Sequence, residues 1–531
     1  MFSCLNSKAM RPLAKLTISA LLAMSVTACM VGPDFVKPSA KLQNDYALAA
    51  QTEFTEAFKS SSDKLLNPVT WWTSFKDPTL NQLLSRAASE NLTLQSAALR
   101  IFQARAQLGV ADATLLPSVN LTGSSTQNDQ PSNQVSLYSP SGVSVTNNVF
   151  VQASWEIDFW GKYRRGIEST LSTYVSTIAT YYSADVSLAA DVANTYINIR
   201  NYEQLIAVAK TNLALQAESL RIAGSRFKYG STSLLDLNQA QAQYEQTKSQ
   251  IPGLISNLKK YQFAMSILLG EAPDYYEKNF GQTKGTLVAP AELDVGIPKD
   301  LLRRRPDILQ AEFDAAAQSA LIGVNVANLY PSFSLSGYFG FQTVTPSGSS
   351  QPSLFSWDNK TTSLAGGFTF PLFYRGAIVD QIRVQDAVFQ QSILNYQNKV
   401  LNAQKEVQEA LVSISTTRSS TGDLVKAVVA AQSAADLALQ RYKGGQTDYN
   451  TVILAQQQLL SLENTQVQTV SNTLLGYVSA FKSLGGGWSG EMKIPVLPTA
   501  MVSEMEKRTD WGKALTISND PRLVQSSENK Q

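Results

Sequence analysis

The chain has 531 residues, 44 lysines and arginines against 42 aspartates and glutamates, two cysteines and no histidine. Without histidine it cannot use Ser-His-Asp or Cys-His catalysis, an imidazole base or nearly any ordinary zinc site. Its formal net charge of +2 offers no basic face for general nucleic-acid binding, while 44% apolar and 16% charged residues suit a folded chain.

Residues 1–28 read as a signal peptide. Lys8, Arg11 and Lys15 precede an apolar stretch from Leu16 to Val26, too short for a spanning helix of about 20 residues. Val26-Thr27-Ala28-Cys29 resembles a bacterial lipobox, which makes Cys29 the expected lipidated first residue; a small buried cysteine near an export signal is the plainer reading. Cleavage removes Cys4, leaving Cys29 alone and no internal disulfide. Losing Lys8, Arg11 and Lys15 from 44 leaves 41 basic against 42 acidic residues, a net charge of −1. Met30 follows Cys29 where an aspartate would hold a lipoprotein at the inner membrane, so the outer membrane is the expected destination. The mature chain has no uncharged apolar run long enough for a membrane helix.

After an N-terminal lipid-anchored segment (29–78), helical periodicity begins at about 79 and runs to about 114. Strands are expected at about 117–126 and 147–159, with a Ser/Asn/Gln/Gly-rich surface loop over 124–146. In the second, Val149, Val151, Ala153, Trp155, Ile157 and Phe159 alternate with Phe150, Gln152, Ser154, Glu156 and Asp158. Such alternation suits a transmembrane β-strand and equally a half-buried strand of a soluble sheet; the export signal and the polar loops favour the membrane. A long helix then spans about 162–227, with Ile167, Leu171, Tyr174, Ile178, Tyr182, Val186, Ala189, Val192, Tyr196 and Ile199 in one stripe. At 1.5 Å per residue it measures roughly 100 Å, the length of a rod or tube rather than of a compact domain. A sharp turn leads into a returning helix of about 38 residues.

The whole pattern then recurs. Leu116-Pro117-Ser118-Val119-Asn120-Leu121-Thr122-Gly123 matches Tyr330-Pro331-Ser332-Phe333-Ser334-Leu335-Ser336-Gly337 at a spacing of 214, as Gly109 matches Gly323. Arg226-Phe227-Lys228-Tyr229-Gly230 matches Arg441-Tyr442-Lys443-Gly444-Gly445 one residue further on, and Ala240-Gln241 with Ala455-Gln456 and Leu269-Gly270 with Leu484-Gly485 keep that register. This is an internal duplication: first repeat 79–290, second repeat 291–488, polar tail 489–531 with its end, from about Ser518, reading as disordered. The second copy supplies a helix at about 306–328 and strands at about 331–342 and 361–372. A polar loop spans 343–360, and Gly422 is a soft point in the second long helix. The fold class is therefore α+β: long coiled-coil helices plus a sheet of four strands per chain. A membrane barrel needs about eight strands and no open edge, so closure requires further copies.

Three motifs carry a resemblance. Cys29-Met30-Val31-Gly32-Pro33-Asp34-Phe35 with Pro38, Trp71-Trp72-Thr73-Ser74-Phe75-Lys76-Asp77-Pro78-Thr79-Leu80, and Ile297-Pro298-Lys299-Asp300-Leu301-Leu302-Arg303-Arg304-Arg305-Pro306-Asp307-Ile308 are similar to signatures of TolC-type outer-membrane efflux proteins, NodT-like lipoprotein subgroup. The resemblance spans about 29–488. It implies a homotrimer whose strands close a barrel in outer-membrane lipid and whose helices form a tube crossing the periplasm. It also implies an exit duct for small molecules such as drugs, served by a periplasmic membrane-fusion adaptor and an inner-membrane transporter, of the resistance-nodulation-division type for this subgroup. The outer-membrane component of type I protein secretion is the alternative within that reading. A structural coiled-coil lipoprotein explains the helices but not the duplicated strands, and an exported enzyme lacks any converging catalytic motif. No catalytic residue, cofactor or metal site is expected.

By the same resemblance Arg226, Gly230, Arg441 and Gly445 mark the periplasmic tip where the adaptor docks; as residues they also read simply as helix caps, and both can hold. The gate departs from the family pattern. Leu454 stands where relatives carry a carboxylate, Gln457 replaces a basic residue, and the tip tyrosine is kept as Tyr442. Leu454 is a candidate apolar constriction, and Asp448 and Asp236 are candidate substitute acids.

Overall fold

The computed structural model describes residues 30–41, 58–59, 68–130, 142–281, 287–290, 293–294, 305–346, 349–350, 352–512, 514–515, 520 and 522–523. The expected signal peptide (1–28), Cys29 and positions 297–304 of the third motif lie outside the described residues, as does nearly all of the tail beyond Ser518. The chain divides into two compact units, each taking a piece of both repeats: Met1–Pro38 with Gln103–Val175 and Glu312–Asn395, and Ser39–Phe102 with Ser176–Ala311 and Tyr396–Gln531.

The first unit holds a four-stranded antiparallel meander in chain order: β1 Ser118–Gln130, β2 Gly142–Ile157, β3 Ser332–Pro346 and β4 Lys360–Thr369. Its register sets Val149, Val151, Ala153, Trp155 and Ile157 against Phe341, Phe339, Gly337, Leu335 and Phe333. The alternation read from the sequence therefore falls on one face, which β1 extends with Val119 and Leu121, and β4 with Leu364 and Phe368. That face is exposed at Val119, Leu121, Val151, Leu335, Phe339, Leu364 and Phe368. On the other, Phe150 lies 4.7 Å from Tyr338; a Cβ on Gly340 would come within 2.6 Å of the Phe150 ring.

Strand ends correct the sequence reading. Part of each loop expected over 124–146 and 343–360 is paired sheet: Asn128 faces Ser144, and Thr345 faces Val145. A polar side chain does not disturb a ladder made by the backbone. At the other end β2 stops at Ile157 rather than 159 because Asp158 turns to cap the next helix, accepting from the Tyr163 and Arg164 amides at 3.1 and 3.0 Å. Similarly β4 stops at Thr369 rather than 372, ahead of Pro371, which has no N–H to give.

Helices α1 Pro78–Glu90 and α2 Leu92–Ala113 replace the single helix expected over 79–114. Asn91 divides them: its Oδ1 caps Leu94 N at 2.9 Å while its Nδ2 donates to the Leu268 carbonyl at 2.9 Å. Next come α3 Lys162–Lys228 and α4 Leu234–Leu268, then a short α5 Tyr275–Phe280 and α6 Pro306–Ala327. The second copy continues with α7 Arg375–Lys443 and α8 Tyr449–Ser483, and α9 Thr499–Arg508 lies in the tail. The returning helices have 35 residues each, not 38, and α7 runs unbroken through Gly422. The predicted stripe of α3 is buried at Tyr174, Ile178, Val186, Val192, Tyr196 and Ile199, but so are Val175, Ala179, Ala190, Ala193 and Ile197. The helix buries more than one stripe, as a strand of a bundle does.

In the second unit, the Trp-rich motif is core. Trp71 stacks on Phe481 at 5.0 Å and meets Trp72 and Phe75 edge-on. Asp77 caps α1 through the Thr79 and Leu80 amides and accepts from the Tyr196 hydroxyl at 2.9 Å. Arg305, from the third motif, is buried and joins three elements: Asp307 at 2.9 Å, Glu406 at 2.7 Å and the Ser483 carbonyl at 3.0 Å. Burial pushes the Asp307 carboxyl up, but hydrogen bonding and charge from Arg305 outweigh it and hold the group below the usual carboxylate range.

Candidate functional site

The two duplicated Arg-aromatic-x-x-Gly segments end α3 and α7, and both fold into the same turn. Ser231 N donates to the Arg226 carbonyl at 2.8 Å and Gly230 N to Phe227 at 3.0 Å; Gln446 N donates to Arg441 at 2.9 Å and Gly445 N to Tyr442 at 3.0 Å. This is the Schellman closure, which needs a left-handed residue after the helix. Gly230 and Gly445 supply it, each with φ of +72°.

The turns then interlock within the second unit. The Arg226 guanidinium donates from Nη1 to the Tyr442 carbonyl, from Nη2 to the Ser231 carbonyl at 3.2 Å, and lies 4.4 Å from the centre of the Tyr442 ring. Tyr442 is 1% exposed and meets Tyr449 edge-on at 5.1 Å. Its hydroxyl reaches Thr232 Oγ1 at 3.4 Å and Asp236 Oδ2 at 3.5 Å, and Thr232 in turn donates to Asp236. Burial, chiefly, pushes the Tyr442 phenol above its ordinary value, and does the same to Tyr449. The cluster thus joins a cation, a carboxylate and two phenols across two hairpins, packed on Ile222, Ala223, Ala240 and Val452.

Of the predicted residues, Arg226, Gly230, Tyr442, Gly445 and Asp236 come together here. Arg441 is exposed, although its repeat partner Arg226 is engaged. Asp448 is not part of this cluster: it caps α8, accepting from Thr451 N at 3.0 Å and Thr451 Oγ1 at 2.7 Å, and these bonds hold its carboxyl below the usual range. Gln457 pairs with Gln243 at 2.8 Å, and Leu454 is 59% exposed on α8. Sequence reasoning missed Thr232 and Tyr449. The pattern Ser233-Leu234-Leu235-Asp236, a helix-start signature in which Ser233 caps Asp236 N, marks this position and could have pointed to its neighbour Thr232.

Among the described residues no group of three His, Cys, Asp or Glu could hold a metal ion, and no helix is long and apolar enough to cross a membrane. The model of the family described as outer membrane efflux protein matches twice, over residues 83–271 and 297–486. The chain belongs to that family. Its relatives include nodulation protein T of Rhizobium leguminosarum bv. trifolii, 28% identical over 467 residues, which are 87% of this chain and 96% of that protein. The cation efflux system protein CusC of Escherichia coli is 27% identical over 472 residues, 88% and 97% of the two chains. The solved outer-membrane channel OprN is 29% identical, with a TM-score of 0.79 over 87% of this chain and all of that one. An outer-membrane efflux protein is a transport protein rather than an enzyme, and its α+β fold of long helices with a four-stranded sheet is that of the efflux channels.

Proposed function

We propose that this outer-membrane efflux protein is the exit duct of a tripartite pump. It works as a homotrimer with a periplasmic membrane-fusion adaptor and an inner-membrane transporter of the resistance-nodulation-division type, and it exports small molecules such as drugs. The sheet carries the reading: its exposed apolar face suits lipid, yet β1 and β4 each leave one edge unpaired among the described residues. Open edges cannot face lipid, so the four strands of one chain close only by joining those of other copies. Cys29 is the lipidated residue that precedes them, and residues 79–290 and 291–488 are the two repeats of each protomer.

In the same reading, the turns are the periplasmic tip. Gly230 and Gly445 shape it, Arg441 faces the adaptor, and Arg226, Tyr442 and Asp236 latch it shut in place of the ion pair that relatives place at Leu454 and Gln457. The exposed Leu454 side chains of three copies then form an apolar constriction. Two measurements test this. Heat-modifiable migration must reveal a trimer, and the purified protein must conduct ions in planar bilayers; a non-conducting monomer overturns the duct. Leu454→Asp must raise conductance and cation preference, and an unchanged channel removes Leu454 from the gate.

A further inference from the structure

Residues 30–37 lie in a receptor built for them within the first unit. Arg165 of α3 is 2% exposed, and its guanidinium points at the N-terminal segment. Nε donates to the Val31 carbonyl at 3.2 Å, and Nη2 to the Gly32 carbonyl at 3.4 Å and to Asp34 Oδ1 at 2.7 Å, while Nη1 is held by Glu168 at 2.7 Å. Val31 N donates to the Trp160 carbonyl at 3.1 Å. Further along, Lys37 pairs with the buried Glu312 of α6.

Glycine makes the fit. Gly32, with φ of +92°, lies so near Gly323 of α6 that a Cβ would sit 2.4 Å from the Gly323 Cα; a Cβ on Gly323 would meet the Val31 carbonyl at 2.8 Å. Gly161, with φ of +77°, receives Met30, whose Cγ would be 2.7 Å from an added Cβ. Gly109, the first-repeat counterpart of Gly323, has nothing within 4 Å of the same point. The duplication therefore made two such positions, and the N-terminal segment fills the second.

We propose that residues 30–37 are a strap, gripped by Arg165 and by the Gly32–Gly323 and Met30–Gly161 contacts, that ties first-repeat helix α3 to second-repeat helix α6 and holds the chain beside Trp160. Trp160 stacks on Tyr330 at 4.6 Å, and Phe159 lies 5.9 Å from Phe333. The amphipathic rings of Trp160 and Tyr330, at the end of the apolar sheet face, suit a lipid–water boundary. The strap is thus the protein's own anchor point, one that does not depend on a lipid at residue 29 nor on what the duct carries.

Hydrogen exchange of the full-length protein in phospholipid vesicles, read on the peptide covering 30–37, tests it. Gly32→Ala and Arg165→Met are each expected to speed exchange there by about tenfold or more, with the β3 peptides unchanged. Cys29→Ser, exported behind an ordinary cleavable leader, is expected to leave the 30–37 peptide as protected as before. Gly32 belongs to the strap and not to its receptor, so its variant reads out even if Arg165→Met does not fold. Exchange within about twofold of the parent in Gly32→Ala overturns the strap, as does full release by Cys29→Ser alone. Bilayer conductance, measured on the same samples, reports on the duct separately.

Discussion

The two helix–helix turns share a backbone and differ in everything else. Both close with the same pair of hydrogen bonds around a glycine at φ of +72°, yet Phe227 in the first is 40% exposed while Tyr442, its counterpart, is 1% exposed. Leu234, which begins α4, is exposed; Tyr449, which begins α8, is buried. Arg226 bonds Ser231 of its own turn and also covers Tyr442 of the other, whereas Arg441 stays in solvent. Duplication preserved the part that backbone sterics dictate. The side chains then diverged into a giver and a receiver: the first turn supplies a cation and a carboxylate, and the second supplies the ring they enclose. A pair of identical turns could not latch in this way, because each would need to be both buried and free.

Removing the receiver is the most damaging way to break this asymmetry. Tyr442→Ala is expected to cost about 3–5 kcal/mol of local stability, as for other large aromatic truncations in a packed cluster, measured as loss of amide protection at the start of α8. Single-channel conductance is expected to rise with it. Phe227→Ala, at the equivalent but exposed position, is expected to change protection by less than about 1 kcal/mol. Equal losses at the two positions would mean that the turns are equivalent after all.

The giver comes next. Arg226→Ala removes two charge-assisted hydrogen bonds and a cation–π contact and is expected to cost about 1–3 kcal/mol by the same protection measurement. Arg441→Ala is expected to stay within about 0.5 kcal/mol, since it exposes no partner. A double-mutant cycle between Arg226 and Tyr442 sharpens the result, with a coupling of about 1–2 kcal/mol expected.

How much of this was legible follows from what each feature depends on. The turns were legible because a glycine after a long helix is a local requirement. So was the sheet's apolar face, since Val149 to Ile157 and Phe333 to Phe341 alternate with the pleat that places them. The strand tips were not: Gln127, Asn128 and Ser144 read as loop, while a backbone ladder is indifferent to their polarity. The break at Asn91 rests on one side chain that caps Leu94 and also reaches Leu268, a contact 177 positions away. The roles of Arg226 and Arg441 were illegible for a deeper reason. A repeat presents the same letters twice, and only packing distinguishes the copy that gives from the copy that receives. Asp448 illustrates the cost: its nearness to the turn suggests an acid for the gate, while its capping bond to Thr451 depends on the backbone around it.

Smaller effects test the part the two copies share. Gly230→Ala and Gly445→Ala each force a side chain into the left-handed region, at a cost of about 1–2 kcal/mol. Because the φ values are the same, the two penalties should match, measured as the shift in urea-induced exchange at each turn. Only Gly445 has the Arg226 guanidinium close by, 3.6 Å from an added Cβ. A larger penalty at Gly445 would therefore show the latch being displaced as well as the turn being strained.

The smallest difference lies in the caps that follow the turns. Ser233 caps α4 and Asp448 caps α8, at equivalent positions in the two copies. Hydrogen bonds from Thr451 favour the ionised form of Asp448 and hold its carboxyl below the usual value. Such a group contributes its stability in full above the unfolded carboxylate value of about 3.9 and loses it as pH falls through the lower folded value. A serine hydroxyl has no such transition. Protection at the start of α8 should therefore fade, relative to pH 7, as the pH falls below about 4, while the cap-dependent part at α4 stays level. Asp448→Ser should abolish the fading without abolishing the cap, because a hydroxyl still accepts from the Thr451 amide. If acid weakens both helix starts equally, the two caps are not what distinguishes the copies, and the asymmetry between the turns rests on Arg226 and Tyr442 alone.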